Sequence, residues 1–265
     1  MSSASDSGVQ VMLFAHAEGN FLGGSISSIR RASTYAAARG ISVALTALLY
    51  SPTPLTRKVA KNSLDERWRV LDLPGAGLDQ ARNAARLAVR RNLAAFVDGY
   101  DLWCETWLHA AYLAAKVRPA VWRPEVLLTF GNDFHKSPGY SAVFQPLHLC
   151  YPALLIVDDP LPSGFVAPRT LLETHAWPTG GWKRGQQAVD RWWNCEVAAS
   201  GYDHRAIEST FHYRRKPDAL LERPRHPANV GREPIGPTRL TLLQTSQFDA
   251  IGRPRFSDFA DETIG

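Results

Sequence analysis

Among the 265 residues, the groups best suited to chemistry stand where apolar runs end. Asp98 directly follows the run Leu93-Ala94-Ala95-Phe96-Val97, and Asp101 comes three positions later. A carboxylate at the carboxyl end of a buried parallel strand lies at the edge where such sheets bind ligands. Hard divalent cations such as Mg²⁺ and Mn²⁺ take oxygen ligands and keep several waters, so one or two aspartates plus ligand phosphates suffice to hold one. Asp98 and Asp101 are therefore the candidate metal ligands, although Asp101 reads equally well as the cap of a helix beginning near Glu105. Arg82 sits at a helix start, where a guanidinium could grip phosphate or merely serve a surface ion pair. His16 and Glu18 are the polar groups that end the first apolar run. Asp190 lies in a helical stretch with Trp192 and Trp193 and reads, by itself, as a solvated carboxylate. The two tryptophans, and Trp182, offer flat apolar faces to a ligand or to the core; adjacent residues on a helix point apart, so only one of the pair is expected at a ligand. His212 is a lone histidine in a strand, either structural or facing phosphate or metal. Arg214, Arg215 and Lys216 read as a solvated face or as contacts to an anion.

The elements that must position these groups follow from periodicity. Val9 to Ala15 is a short continuous apolar run, as expected of a strand buried on both faces. Helical spacing follows through Leu22, Ile26, Ile29 and Tyr35, with Ser25 as an expected cap and Gly40 as the stop. Residues 41–49 form a second buried strand; a Pro/Thr loop leads to a short basic helix, and residues 68–73 alternate as a third strand. Residues 78–92 are a helix rich in Ala, Leu and Arg, and 93–97 a fourth strand. This β-α-β-α-β-α-β order predicts an α/β domain with a mainly parallel sheet flanked by helices, joined by right-handed crossovers. Beyond it, helices are expected at 105–116 and 186–200 and strands at 153–157 and 206–216, with prolines punctuating the interval between. The expected layout is an arm at 1–8, one domain at 9–216 and a Pro/Arg-rich tail at 217–265.

Composition narrows the function classes. Thirty basic and 25 acidic residues are interspersed, giving a net charge of +5 without a long basic run, so a small polyanionic ligand fits the charge as well as nucleic acid does; no nucleic-acid partner is expected, because no reader motif and no interleaving of aromatic and basic residues on strands occurs. Cys104, Cys150 and Cys195 are odd in number and lack paired metal or redox spacing, which points to a reduced, cytoplasmic setting. The polar start resembles no secretory leader, and no run approaches the length of a spanning helix, so any association with the inner membrane face would be peripheral.

Three segments in order resemble the GT-A fold glycosyltransferases of family 2. They are Phe14-Ala15-His16-Ala17-Glu18; Gly77 to Asn83 leading to Phe96-Val97-Asp98-Gly99-Tyr100-Asp101-Leu102-Trp103; and Val189 to Asn194 with Gly201 and His212-Tyr213-Arg214-Arg215. The resemblance covers roughly residues 9–216. It implies a GT-A type single domain that moves a sugar from a nucleotide-sugar donor to a hydroxyl of a glycan, lipid-linked or small-molecule acceptor, with inversion. Asp190 falls at the base position, His16, Glu18, Arg82 and Asp98 at the donor, Trp192 and Trp193 at the acceptor, and Asp98 and Asp101 at a Mg²⁺ or Mn²⁺ that stabilises the departing diphosphate. The chain departs from the pattern at Ala17, at Leu49-Tyr50-Ser51-Pro52, at Tyr100 in place of the second carboxylate of D-x-D, and at Val189 before the base. These departures keep open a non-catalytic relative that binds a nucleotide or glycan. A sugar-nucleotide nucleotidyltransferase is a further alternative, but its loop after the first strand would carry a basic residue, and none occurs before Arg30.

Overall fold

The computed structural model describes residues 6–131, 141–144, 164–179 and 186–216. Its first half is β1 (Val9–Ala15), α1 (Phe21–Ala37), β2 (Val43–Tyr50), α2 (Pro54–Ser63), β3 (Trp68–Leu73), α3 (Leu78–Ala88) and β4 (Leu93–Asp98). The four strands run parallel in the order β3-β2-β1-β4. The chain builds outward from β1 to β3 and then crosses back to place β4 on the other side of β1. The crevice between the carboxyl ends of β1 and β4 is thus the topological switch point, where this architecture takes ligands. All seven residues of β1 are buried. Val9, Val11, Leu13 and Ala15 pack against α1, whereas Met12 and Phe14 pack toward α3. This two-sided burial explains why the run is continuous rather than alternating.

The second half comprises β5 (Leu102–Trp103), α4 (Trp107–Val117), β6 (Val121–Gly131), β7 (Ser141–Phe144), β8 (Phe165–Pro168), α5 (Arg169–Thr174), α6 (Gln186–Ala199) and β9 (His204–Lys216). Its strands extend the same sheet as β4-β8-β6-β9-β5, with β7 on β6, and mix directions: β6 and β9 are parallel, and the other contacts antiparallel. Helices α1, α2 and α4 contribute to the core on one face, and α3, α5 and α6 to that on the other.

Several expectations move. Ser25 caps nothing: α1 begins at Phe21 after Asn20, and Ser25, one turn inside, is buried and donates its Oγ to the Gly99 carbonyl at 2.8 Å. Helix α3 stops at Ala88, four residues early, because Gln10 Oε1 takes the Arg90 N–H at 2.6 Å and turns the backbone toward β4. The chain is fixed from Asp6 rather than from Val9, since Asn92 donates its backbone N–H to the Asp6 carbonyl at 2.7 Å and its Oδ1 accepts from Gly8 N–H at 2.8 Å. The strand expected at 153–157, Trp182, Cys150 and the 217–265 tail lie outside the described residues.

Candidate functional site

Arg82 is the centre of the site. It is fully buried on α3, with its guanidinium carbon 4.1 Å from the centre of the Phe14 ring of β1. Its Nη2 donates to Asp98 Oδ1 at 2.9 Å and to Asp190 Oδ2 at 3.2 Å. A strand end and two helices far apart in sequence are joined through one cation, and both carboxylates are only about 15% exposed. Burial pulls the Arg82 pKa down, but Asp190 and Asp98 more than offset it, so the charge is locked on. Burial also lifts the Asp190 carboxyl above its usual range, against the opposing pull of Arg82. A raised carboxylate pKa brings a base closer to the pH at which it works.

The second carboxylate cluster follows the loop after β4. Gly99 packs so closely there that a Cβ would stand 2.9 Å from the Phe14 carbonyl oxygen and 3.0 Å from Glu18 Cγ, which requires glycine. Glu18 is buried, and its Oε2 accepts the His16 backbone N–H at 2.6 Å. Burial first, and the nearby Asp98 and Asp101 in addition, push its carboxyl up to about 7. Tyr100, between Asp98 and Asp101, has its phenol held neutral by burial and by Glu18, Asp98 and Asp101. His16 stacks on Tyr50, with ring centres 5.0 Å apart, and its Nδ1 lies 2.8 Å from the Tyr50 carbonyl oxygen.

Asp101 is no helix cap, because α4 begins at Trp107. Instead its buried Oδ2 lies 2.7 Å from Nε2 of the fully buried His212. Pairing of β5 with β9 sets Trp103 opposite His212 and so makes this contact. The Arg215 guanidinium, from the same strand, covers the Phe21 ring at 4.1 Å. It packs against the start of α1 rather than standing in solvent.

The two tryptophans separate. Trp193 is 1% exposed, parallel to Trp177 at 4.5 Å and stacked on Phe165 at 5.1 Å, with Nε1 donating to the His175 carbonyl at 3.0 Å. Its faces belong to the core, which corrects the expectation that it lines an acceptor. Trp192 is half-buried and keeps that role open. Val189 is likewise core, 5% exposed against the α3 face.

Sequence reasoning missed Trp177. Its Nε1 donates to Asp190 Oδ1 at 3.0 Å, so both oxygens of this carboxylate are held by protein donors. Nothing in the residues around Trp177 signals this, although Asn83, next to Arg82, is an amide whose partner proves to be the Trp177 backbone.

Among the described residues no three His, Cys, Asp or Glu side chains converge into a protein-only metal cage. Asp101 is already engaged with His212 and 4% exposed, whereas Asp98 is 16% exposed. The donor set therefore fits a hard cation held by Asp98 together with ligand oxygens.

This architecture is a GT-A-like α/β fold, shown by likeness to solved structures. S. aureus TarS 1-349 in complex with UDP-GlcNAc superposes with a TM-score of 0.57 at 13% identity, over 80% of this chain and 59% of that one. The mannosyltransferase PcManGT from Pyrobaculum calidifontis in complex with GDP-Man and Mn²⁺ gives a TM-score of 0.56 at 15% identity, over 80% and 58%. The chain thus spans less than two thirds of the length of either protein. No protein-family model matches the chain, and no curated protein matches its sequence.

Proposed function

We propose that the protein is a glycosyltransferase that moves a sugar from a nucleotide-sugar donor to a hydroxyl acceptor with inversion. The observation that carries this reading is the convergence of Asp98, Arg82 and Asp190, from three separate segments, at the switch point of a glycosyltransferase-like fold. Asp190 is the base: a single positioned carboxylate can take the acceptor proton as the hydroxyl attacks, typically worth 10²–10⁴-fold. One displacement with one base inverts the anomeric carbon. Arg82 holds Asp98 and Asp190 in register and adds fixed positive charge beside the departing diphosphate. Asp98 would hold Mg²⁺ or Mn²⁺ with diphosphate oxygens, and the bound cation supplies Lewis-acid neutralisation of the leaving group. His16 and Glu18 face the donor from the end of β1, and half-buried Trp192 faces the acceptor. Among the described residues no helix is long and apolar enough to cross a membrane.

The test is calorimetric binding of UDP, GDP, dTDP and CDP, each with and without Mn²⁺, to the wild-type protein and Asp98→Ala. One nucleotide should bind, with metal enhancement lost in the variant. Absence of binding by all four would refute the donor site.

A further inference from the structure

The two donors that hold Asp190 differ in kind. Arg82 reaches Oδ2 and shares its charge with Asp98, whereas Trp177 reaches Oδ1 with a neutral indole N–H. Trp177 is itself immobilised. Its ring is 2% exposed, lies 3° from parallel with Trp193, and stacks on Phe96 at 5.5 Å. Its backbone is gripped twice by Asn83: Nδ2 donates to the Trp177 carbonyl at 2.9 Å, and Oδ1 accepts the Trp177 N–H at 3.0 Å. Asn83 follows Arg82 on α3. One turn of α3 therefore holds the Asp190 carboxylate from both sides, directly through Arg82 and indirectly through Asn83 and Trp177.

We infer that Trp177, clamped by Asn83, is a positioning residue that fixes the orientation of the Asp190 carboxylate. The inference rests on the proposed role of Asp190 as base. A carboxylate on a single ion pair can swing about its Cβ–Cγ bond; a second donor on the other oxygen removes that freedom. A neutral donor does so without adding a second positive charge, which would weaken the carboxylate as a proton acceptor. A base must present its lone pair within hydrogen-bond reach of the proton it takes, and displacements near 1 Å can lower a rate by about 10²-fold. Trp177 lies in the core beside Asp190 rather than in the crevice, so its loss acts through Asp190 and not on donor affinity.

Two measurements test this in the full chain. In protein with ¹⁵N-labelled tryptophan, the indole resonance that disappears in Trp177→Phe is that of Trp177. It should move in Asp190→Asn and in Asn83→Ala; a resonance unmoved by both overturns the clamp. In the second, release of nucleoside diphosphate is followed at varied donor concentration, with Mn²⁺ present, from whichever of the UDP-, GDP-, dTDP- and CDP-sugars the wild type turns over. Trp177→Phe, which keeps an aromatic ring in the stack, should lower kcat about tenfold or more and leave the donor KM within about twofold. Wild-type kcat in Trp177→Phe, with Asp190→Asn inactive, overturns the positioning role. A wild-type protein that turns over none of these donors refutes the base assignment instead, and the indole resonance then decides the clamp alone.

Discussion

Replacing Arg82 with methionine removes the cation that Asp98 and Asp190 share while keeping an unbranched side chain against Phe14. Removing one member of a buried ion pair typically destabilises by ~3–5 kcal/mol, because the remaining charge is left uncompensated. Here two carboxylates are left, each about 15% exposed, so the upper part of that range is expected near pH 7.5. The loss should depend on pH in a defined sense. Burial already lifts the Asp190 carboxyl in the folded state, and loss of Arg82 removes the strongest opposing influence. A folded-state pKa above the unfolded value means that the folded state binds more protons in the window between them. Stability therefore falls as pH rises through that window and is regained as pH falls toward the unfolded value of 3.8. Guanidinium denaturation of wild type and Arg82→Met at pH 7.5 and pH 5 should show the deficit narrowing at pH 5 by about 1 kcal/mol or more. A deficit below about 1 kcal/mol, equal at both pH values, would refute the claim that Arg82 holds two buried carboxylates.

Three further outcomes follow from the packing. Glu18→Gln should flatten the pH dependence of stability: with the carboxyl up to about 7 in the fold, the wild type loses roughly 3 kcal/mol relative to the variant as pH rises from 4.5 to 7, and parallel denaturation profiles would contradict this. Gly164→Ala would put a Cβ 2.5 Å from Cε1 of His212, which is buried and held by Asp101, so a loss of ~1–3 kcal/mol is expected, and a neutral result in denaturation would show that the ring can give way. Trp193→Ala should cost ~3–5 kcal/mol of stability; a variant of unchanged stability with a raised acceptor KM would return Trp193 to the acceptor site.

β1, β2 and β4 were legible because each is a short apolar run, and burial on both faces leaves an unbroken signature in residues such as Val9–Ala15, whereas the half-exposed β3 showed itself by alternation. The later strands were not. In β6, Pro124 sits beside a register shift between residues 124 and 126, so its proline and bulge mask a strand of 11 residues. β8 has four residues and β5 two, too short for any period to show. Asp98 and Arg82 stood out as candidates from their places at a strand end and a helix start, whereas Asp190, by itself a solvated carboxylate, was singled out only through the family resemblance. The role of Trp177 was not legible, because its grip by Asn83 spans 94 positions and depends on how α3 meets the segment after α5. Asp101, read equally as a metal ligand and as a helix cap, pairs instead with His212, which arrives from a strand 111 positions away and so left no local signal. Trp193 was ambiguous because a large aromatic serves core and ligand equally well, and only its stack with Trp177 and Phe165 decides between them.

The central claim is catalytic transfer with Asp190 as base. The most direct measurement is release of nucleoside diphosphate from a panel of UDP-, GDP-, dTDP- and CDP-sugars, with Mn²⁺ present, by wild type and Asp190→Asn. The account predicts turnover of at least one donor, reduced about 10²-fold or more in the variant. Turnover equal in both proteins would remove Asp190 from the chemistry, and tight nucleotide binding without turnover of any donor would make the protein a binding relative on a transferase scaffold.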